Sequence, residues 1–132
     1  MIIDATDLIL GRMATVVAKK ALNGEKIDIV NVEKAVVSGT KEVIFAKYKR
    51  KRDMGTFKGP FWFRRPNMFV KRTIRGMLPY KTEPGAKAYK NIKCYVGKPI
   101  EGEAVSIESA NISQFENTKY VTVGRICQEL GL

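Results

Sequence analysis

MIIDATDLILGRMATVVAKKALNGEKIDIVNV, residues 1–32, decides the architecture. Ile2 and Ile3 open a short strand, and residues 4–7 turn out of it, with Asp4 and Asp7 suited to capping the turn. From Leu10 onward, apolar residues recur at Met13, Ala14, Val17, Ala18 and Ala21, the spacing of one helical face. Lys19 and Lys20 fall on the opposite face and in the last turn, where cations suit the helix dipole. Asn23-Gly24 then stops the helix. Residues 27–32, IDIVNV, follow as a strand apolar enough for burial on both faces. Strand, helix and strand in this order make a βαβ unit, which requires parallel strands and a right-handed crossover.

Working outward, Ala35, Val36 and Val37 continue an extended segment, and Ser38-Gly39 turns it. Thr40 is placed to cap a helix running to about residue 51, with Val43, Ile44 and Tyr48 on one face. Residues 53–67 contain Gly55, Gly59, Pro60 and Pro66 and read as a loop, long for a compact domain. Helical spacing returns at Val70, Ile74, Met77 and Leu78 and ends at Pro79. Residues 85–90 read as a further helical turn or two, and 92–96 as a strand stopped by Gly97 and Pro99. Residues 100–117 are acidic and mixed, a loop with a strand near 105–107. Val123, Ile126, Cys127 and Leu130 form a last helix, capped by Thr122 and ended by Gly131.

The chain of 132 residues has the length of a single domain, and its net charge of +11 is distributed unevenly. Residues 41–100 hold seventeen basic and three acidic side chains, while the remainder is net acidic. Between residues 47 and 75 lie eleven Lys or Arg and one acid, Asp53, interleaved with Tyr48, Phe57, Phe61, Trp62, Phe63 and Phe69. Cations neutralise phosphates, and aromatics stack on unpaired bases, so this pattern is the footprint of a surface that meets RNA or another polyanion. The richness in aromatics argues against a plain disordered linker and favours an arm that becomes ordered on its partner. Gly-Arg opens two helices, at Gly11-Arg12 and Gly124-Arg125, where free N–H groups and a guanidinium can meet a phosphate.

Other classes of function find little support. With no histidine, the chain lacks the commonest general base and zinc ligand. Ser38-Gly39-Thr40-Lys41 falls short of a P-loop, and no GxGxxG is present. Cys94 and Cys127 lie too far apart for a metal motif and read as buried or half-buried thiols of a reducing compartment. No cofactor, metal, catalytic residue or small-molecule substrate is expected. A small RNA- or nucleotide-modifying α/β enzyme is the alternative, and it would need an acid, nucleophile or phosphate loop at the strand ends. The N-terminus does not read as a signal peptide, no apolar run approaches a membrane span, and the basic helix lacks the broad apolar face of a membrane binder. An intracellular protein is expected.

Several blocks carry a closer likeness. Lys71-Arg72-Thr73-Ile74-Arg75-Gly76-Met77-Leu78-Pro79, followed by Lys81 and Gly85, closely resembles the signature of the large-subunit ribosomal protein L-thirteen family. Ile3-Asp4-Ala5 with Leu10-Gly11-Arg12-Met13-Ala14 is similar to its N-terminal block. Val30-Asn31-Val32-Glu33-Lys34 through Ser38-Gly39 is similar to its second, and Tyr95-Val96-Gly97 to a strand end. Gly59-Pro60-Phe61-Trp62-Phe63-Arg64 and Val123-Gly124-Arg125-Ile126 resemble the archaeal and eukaryotic branch, although that branch often has a histidine near Trp62. Residues 100–117 lie outside the likeness.

The resemblance implies a three-layer α/β/α fold with a parallel sheet of about four strands. It implies a single ribosomal-protein domain over residues 1–132, with a basic, loop-rich RNA-binding arm at about 47–84. The implied function is that of a structural, non-catalytic constituent of the large ribosomal subunit, cytoplasmic, which binds folded rRNA and supports subunit assembly beside neighbouring ribosomal proteins. The expected RNA-binding residues are Arg12, Lys47, Lys49, Arg50, Arg52, Lys58, Arg64, Arg65, Lys71, Arg72, Arg75 and Lys81.

Overall fold

The structure is a computed structural model that describes residues 1–54, 59, 64–115 and 118–131. The opening unit forms as its spacing predicts, with β1 (Ile2–Asp4), α1 (Leu10–Leu22) and β2 (Ile27–Val30). α1 buries Leu10, Met13, Ala14, Val17, Ala18 and Ala21, and Gly24 leaves it at a φ of 94°, a conformation glycine adopts without steric penalty. β1 pairs in parallel with β2, Ile3 lying opposite Ile29. The turn between β1 and α1 is tied by Asp4, whose carboxylate accepts from the Thr6 N–H at 3.0 Å, the Thr6 hydroxyl at 2.7 Å and Asn31 Nδ2 at 3.2 Å.

The remaining elements are β3 (Val36–Ser38), α2 (Lys41–Asp53), α3 (Pro66–Gly76), α4 (Glu83–Lys90), β4 (Ile92–Cys94), β5 (Ala104–Val105), β6 (Tyr120–Thr122) and α5 (Val123–Glu129). A four-stranded parallel sheet has the order β4-β2-β1-β5, and flanking helices complete a three-layer α/β arrangement. Ile3, Ile27, Ile29 and Ile92 from the sheet are fully buried with Met13, Val17, Phe69, Ile74 and Ile126 from the helices. Thr122 caps α5, its hydroxyl accepting from the Arg125 N–H.

Several local expectations give way to packing. The strand at 27–32 ends at Val30, because Asn31 turns left-handed at a φ of 56°. The extended segment read at 35–37 is β3, which pairs antiparallel with β6 in a separate two-stranded sheet, Val37 opposite Val121. α3 starts at Pro66, inside the stretch read as loop, with proline at its first position where the missing N–H costs nothing. Thr40 occupies the N-cap position of α2 but makes no side-chain capping bond. Val43 is 67% exposed, since the buried face of α2 is set by Ile44 and Tyr48 one turn apart. Met77 is exposed because α3 ends at Gly76 and only Leu78 turns inward.

Both thiols fit the structural reading of the cysteines. Burial pushes Cys94 up to about 12, against a smaller opposing effect of Lys71, and Cys127 up to about 11. Protonated thiols of this kind are poor nucleophiles at neutral pH.

Two positions generate tests. At Gly85 in α4 a side-chain carbon would overlap the carbonyl of Pro79, which is backbone and cannot step aside. Gly85→Ala should therefore destabilise the protein by about 2 kcal/mol, measured by urea unfolding, and a neutral result would count against this packing. Burial alone would raise the pKa of Asp4, but bonds from Thr6 and Asn31, with Lys34 nearby, outweigh it and hold the carboxyl below its ordinary value. A depressed native pKa contributes stability above about pH 4 that is lost as pH falls through the native value. Asp4→Ala should cost about 1 kcal/mol at pH 7, and the gap to the parent protein should narrow below about pH 4.

Candidate nucleic-acid interface

The basic helices α2 and α3 are brought together by their apolar residues. Phe69, Val70 and Ile74 of α3 face the core, as do Ile44 and Tyr48 of α2. The Tyr48 and Phe69 rings meet with centroids 4.9 Å apart and planes tilted by 56°. Both had been expected as candidates for base stacking. Phe69 is 1% exposed and Tyr48 8%, so both serve the core. Cations collect over Tyr48: the Nζ atoms of Lys47 and Lys51 lie 5.4 and 5.3 Å from its ring centroid. A groove of about 360 Å³ runs between the helices, lined by Lys47, Tyr48, Lys51, Arg72, Thr73 and Gly76. Burial, then the charges of Lys47 and Arg72, lowers the pKa of Lys51. Lys51 was not singled out from the sequence, although its spacing of four from Lys47 put both on one helical face.

The other expected cations divide by neighbour. Lys49 pairs with Glu129 at 3.5 Å, and Arg52 pairs with Asp53 at 3.0 Å while donating to the Leu130 carbonyl at 3.5 Å. These contacts tie α2 to the C-terminal helix. Arg125 joins them, 3.4 Å from Glu129. Lys71 Nζ lies 4.5 Å from the Tyr89 ring centroid, and the Arg75 guanidinium 4.6 Å from that of Tyr80. Arg75 Nε is buried with no hydrogen-bond partner. Arg12 rests 4.4 Å over Phe115, at the start of α1. Arg50, Arg64, Arg65 and Lys81 are exposed. Lys58 and the aromatics Phe57, Phe61, Trp62 and Phe63 lie outside the described residues.

The two Gly-Arg pairs also separate. Gly124 packs against Glu33, where a side-chain carbon would come within 3.1 Å of the backbone oxygen, so close packing explains it. Gly11 has no such neighbour within 4 Å among the described residues. No group of three His, Cys, Asp or Glu among the described residues is placed to hold a metal ion. Nor is any helix among them long and apolar enough to cross a membrane.

Comparison with known proteins follows the same direction. The family model described as "Ribosomal protein L13" matches residues 1–101. The large ribosomal subunit protein uL13 of Methanococcoides burtonii is 48% identical over 134 residues, covering 98% of this chain and 96% of that protein. The uL13 of Natronomonas pharaonis is 42% identical, covering 99% and 90%, and that of Methanosarcina barkeri 44%, covering 98% and 96%.

The crowding of cations at the groove predicts an inverse relation between charge and stability. Because the native pKa of Lys51 lies below its unfolded value, its charge works against folding at pH 7, and that cost is relieved as pH rises through the native pKa. Lys51→Met should leave stability at pH 7 unchanged or higher in denaturant unfolding. A loss above about 1 kcal/mol would show that favourable contacts dominate at this lysine.

Proposed function

The chain belongs to the ribosomal protein L13 family, and we infer from that membership that it is a structural, non-enzymatic constituent of the large ribosomal subunit. In that role it binds folded rRNA and supports assembly of the subunit. The alternative of a small RNA- or nucleotide-modifying enzyme has no support in the family. The observation that carries the RNA-binding surface is the convergence of Lys47, Lys51 and Arg72 on one groove between α2 and α3.

On this reading residues 1–132 act as one domain whose basic arm, at about 47–84, faces the RNA in a ribosome of the cytoplasm. Lys47, Arg50, Lys71, Arg72 and Arg75 would contact phosphates, with Lys58, Arg64, Arg65 and Lys81 along the same arm and Arg12 at the start of α1. Lys49 and Arg52 would have to leave Glu129 and Asp53, which is inexpensive, since exposed ion pairs contribute about 0–1 kcal/mol. Contacts of this type fix position and read the shape of folded RNA, so selectivity comes from the tertiary fold of the RNA. Neighbouring ribosomal proteins would complete the site.

The direct test is incorporation. Arg72→Glu combined with Arg75→Glu should be absent from purified large subunits while circular dichroism shows it folded; full incorporation would count against the assignment. In a companion titration, binding of the parent protein to large-subunit rRNA should survive excess transfer RNA. Its log–log salt slope should fall by roughly 0.7–0.9 for each phosphate contact removed.

A further inference from the structure

Beyond the cationic groove the surface continues into a second recess of about 510 Å³, and the two share Tyr48 and Thr73 in their walls. The second recess differs in chemistry. Ile9, Leu10 and Val37 supply apolar wall, Gly11 and Arg12 come from the first turn of α1, and Ser38 closes the end of β3. No side chain caps α1 and its first turn holds no acid, so its backbone N–H groups face this end as donors. A cationic recess and a half-apolar recess with polar donors thus lie side by side as the two halves of one cleft lined by Tyr48 and Thr73 where they meet. Each recess, at about 510 and 360 Å³, lies in the range of about 300–1,000 Å³ usual for sites that take a small molecule.

The two recesses also share a feature that leaves them room. Each contains a helical glycine, Gly76 in the cationic half and Gly11 in the apolar one. Glycine is a poor helix former, and it is normally retained for a positive φ or for close packing. Both have ordinary φ and sit at helix ends, Gly11 in the first turn of α1 and Gly76 closing α3, and beyond its own helix and chain neighbours a side-chain carbon at either would meet no described atom within 4 Å. Both glycines thus leave open space on the side of the recess they line.

We propose that the cleft holds a single unpaired nucleotide of the bound RNA. Its phosphate lies against Gly76 between Lys47, Lys51 and Arg72, and its base lies over Gly11 against Ile9, Leu10 and Val37. This rests on the ribosomal reading and adds to it, because docking onto a regular RNA helix uses phosphates and 2′-hydroxyls and needs no apolar recess. The base would be held by contact with aliphatic wall and by N–H donors of α1 meeting its edge acceptors. The phosphate would relieve the crowding of like charges that burial and neighbouring cations impose on Lys51.

The test uses the full chain, large-subunit rRNA and chemical probing of unpaired nucleotides. Gly11→Leu fills the apolar half with a good helix former and should leave the melting temperature at or above that of the parent. It should weaken rRNA binding at least tenfold, leave the log–log salt slope unchanged, and restore reactivity at one unpaired nucleotide that the parent protects. Gly76→Leu, in the other half, should weaken binding to a similar degree. As a check that does not depend on affinity, Thr15→Cys at the rim can carry a benzophenone, since Cys94 and Cys127 are disfavoured as nucleophiles. Cross-linking to one unpaired nucleotide is expected. Gly11→Leu binding and protecting as the parent does, or cross-links confined to paired RNA or to none, would overturn the inference while leaving the ribosomal reading intact. Failure of the parent itself to select large-subunit rRNA over transfer RNA would sink both.

Discussion

Tyr48 and Phe69 bury their rings against each other, and through that contact two helices rich in positive charge are held side by side. Electrostatics alone would separate them, since Lys47, Lys51 and Arg72 repel across the groove. The apolar contact is short-ranged and insensitive to salt, whereas the repulsion is screened within about 10 Å at ordinary ionic strength. The core therefore dictates where the charges sit. Ile44 and Tyr48 on α2 and Phe69, Val70 and Ile74 on α3 set the angle of approach, and the cations follow as passengers on the outer faces. On the side away from the groove the chain supplies Glu129, which holds both Lys49 and Arg125 and ties the far face of α2 to α5.

The opening βαβ unit was legible because its signals are local. The apolar period of α1, the Asn23-Gly24 stop and the isoleucines of β1 and β2 all act within thirty residues. The pairing of β3 with β6 was not legible, because two three-residue strands separated by more than eighty positions carry no pattern that names their partner. α3 was shortened in the reading because Pro66 looks like loop punctuation, although proline is well suited to a first helical position.

The interface shows the same division. Net charge marks a basic stretch of the chain, but composition treats every cation alike. It could not tell that Lys49 and Arg52 turn to α5 while Lys51 turns to the groove. Tyr48 and Phe69 make a related point: an aromatic between lysines has the pattern of a stacking platform, and only the tertiary packing shows that these two rings meet. The family resemblance supplied what charge could not, a family, and the comparisons with archaeal uL13 proteins show the same family over nearly the whole chain.

The topology also imposes an order of events during synthesis. β1 lies inside the sheet, bonded on one flank to β2 and on the other to β5, so Ile2 faces both Asp28 and Ala104. Its first partner emerges about twenty-five residues later and its second only after some hundred, and closing the longer loop carries the larger entropic cost. β3 must wait for β6 in the same way. The nascent chain can thus gather an N-terminal nucleus early, but the wall that Val37 and Ser38 contribute is secured only when the last strand arrives. Until then the lysines of α2 are already made but not yet arranged, a cationic chain without a shaped surface. The surface around Val37 takes its final form only with residues 120–122, after the stretch that supplies most of the charge.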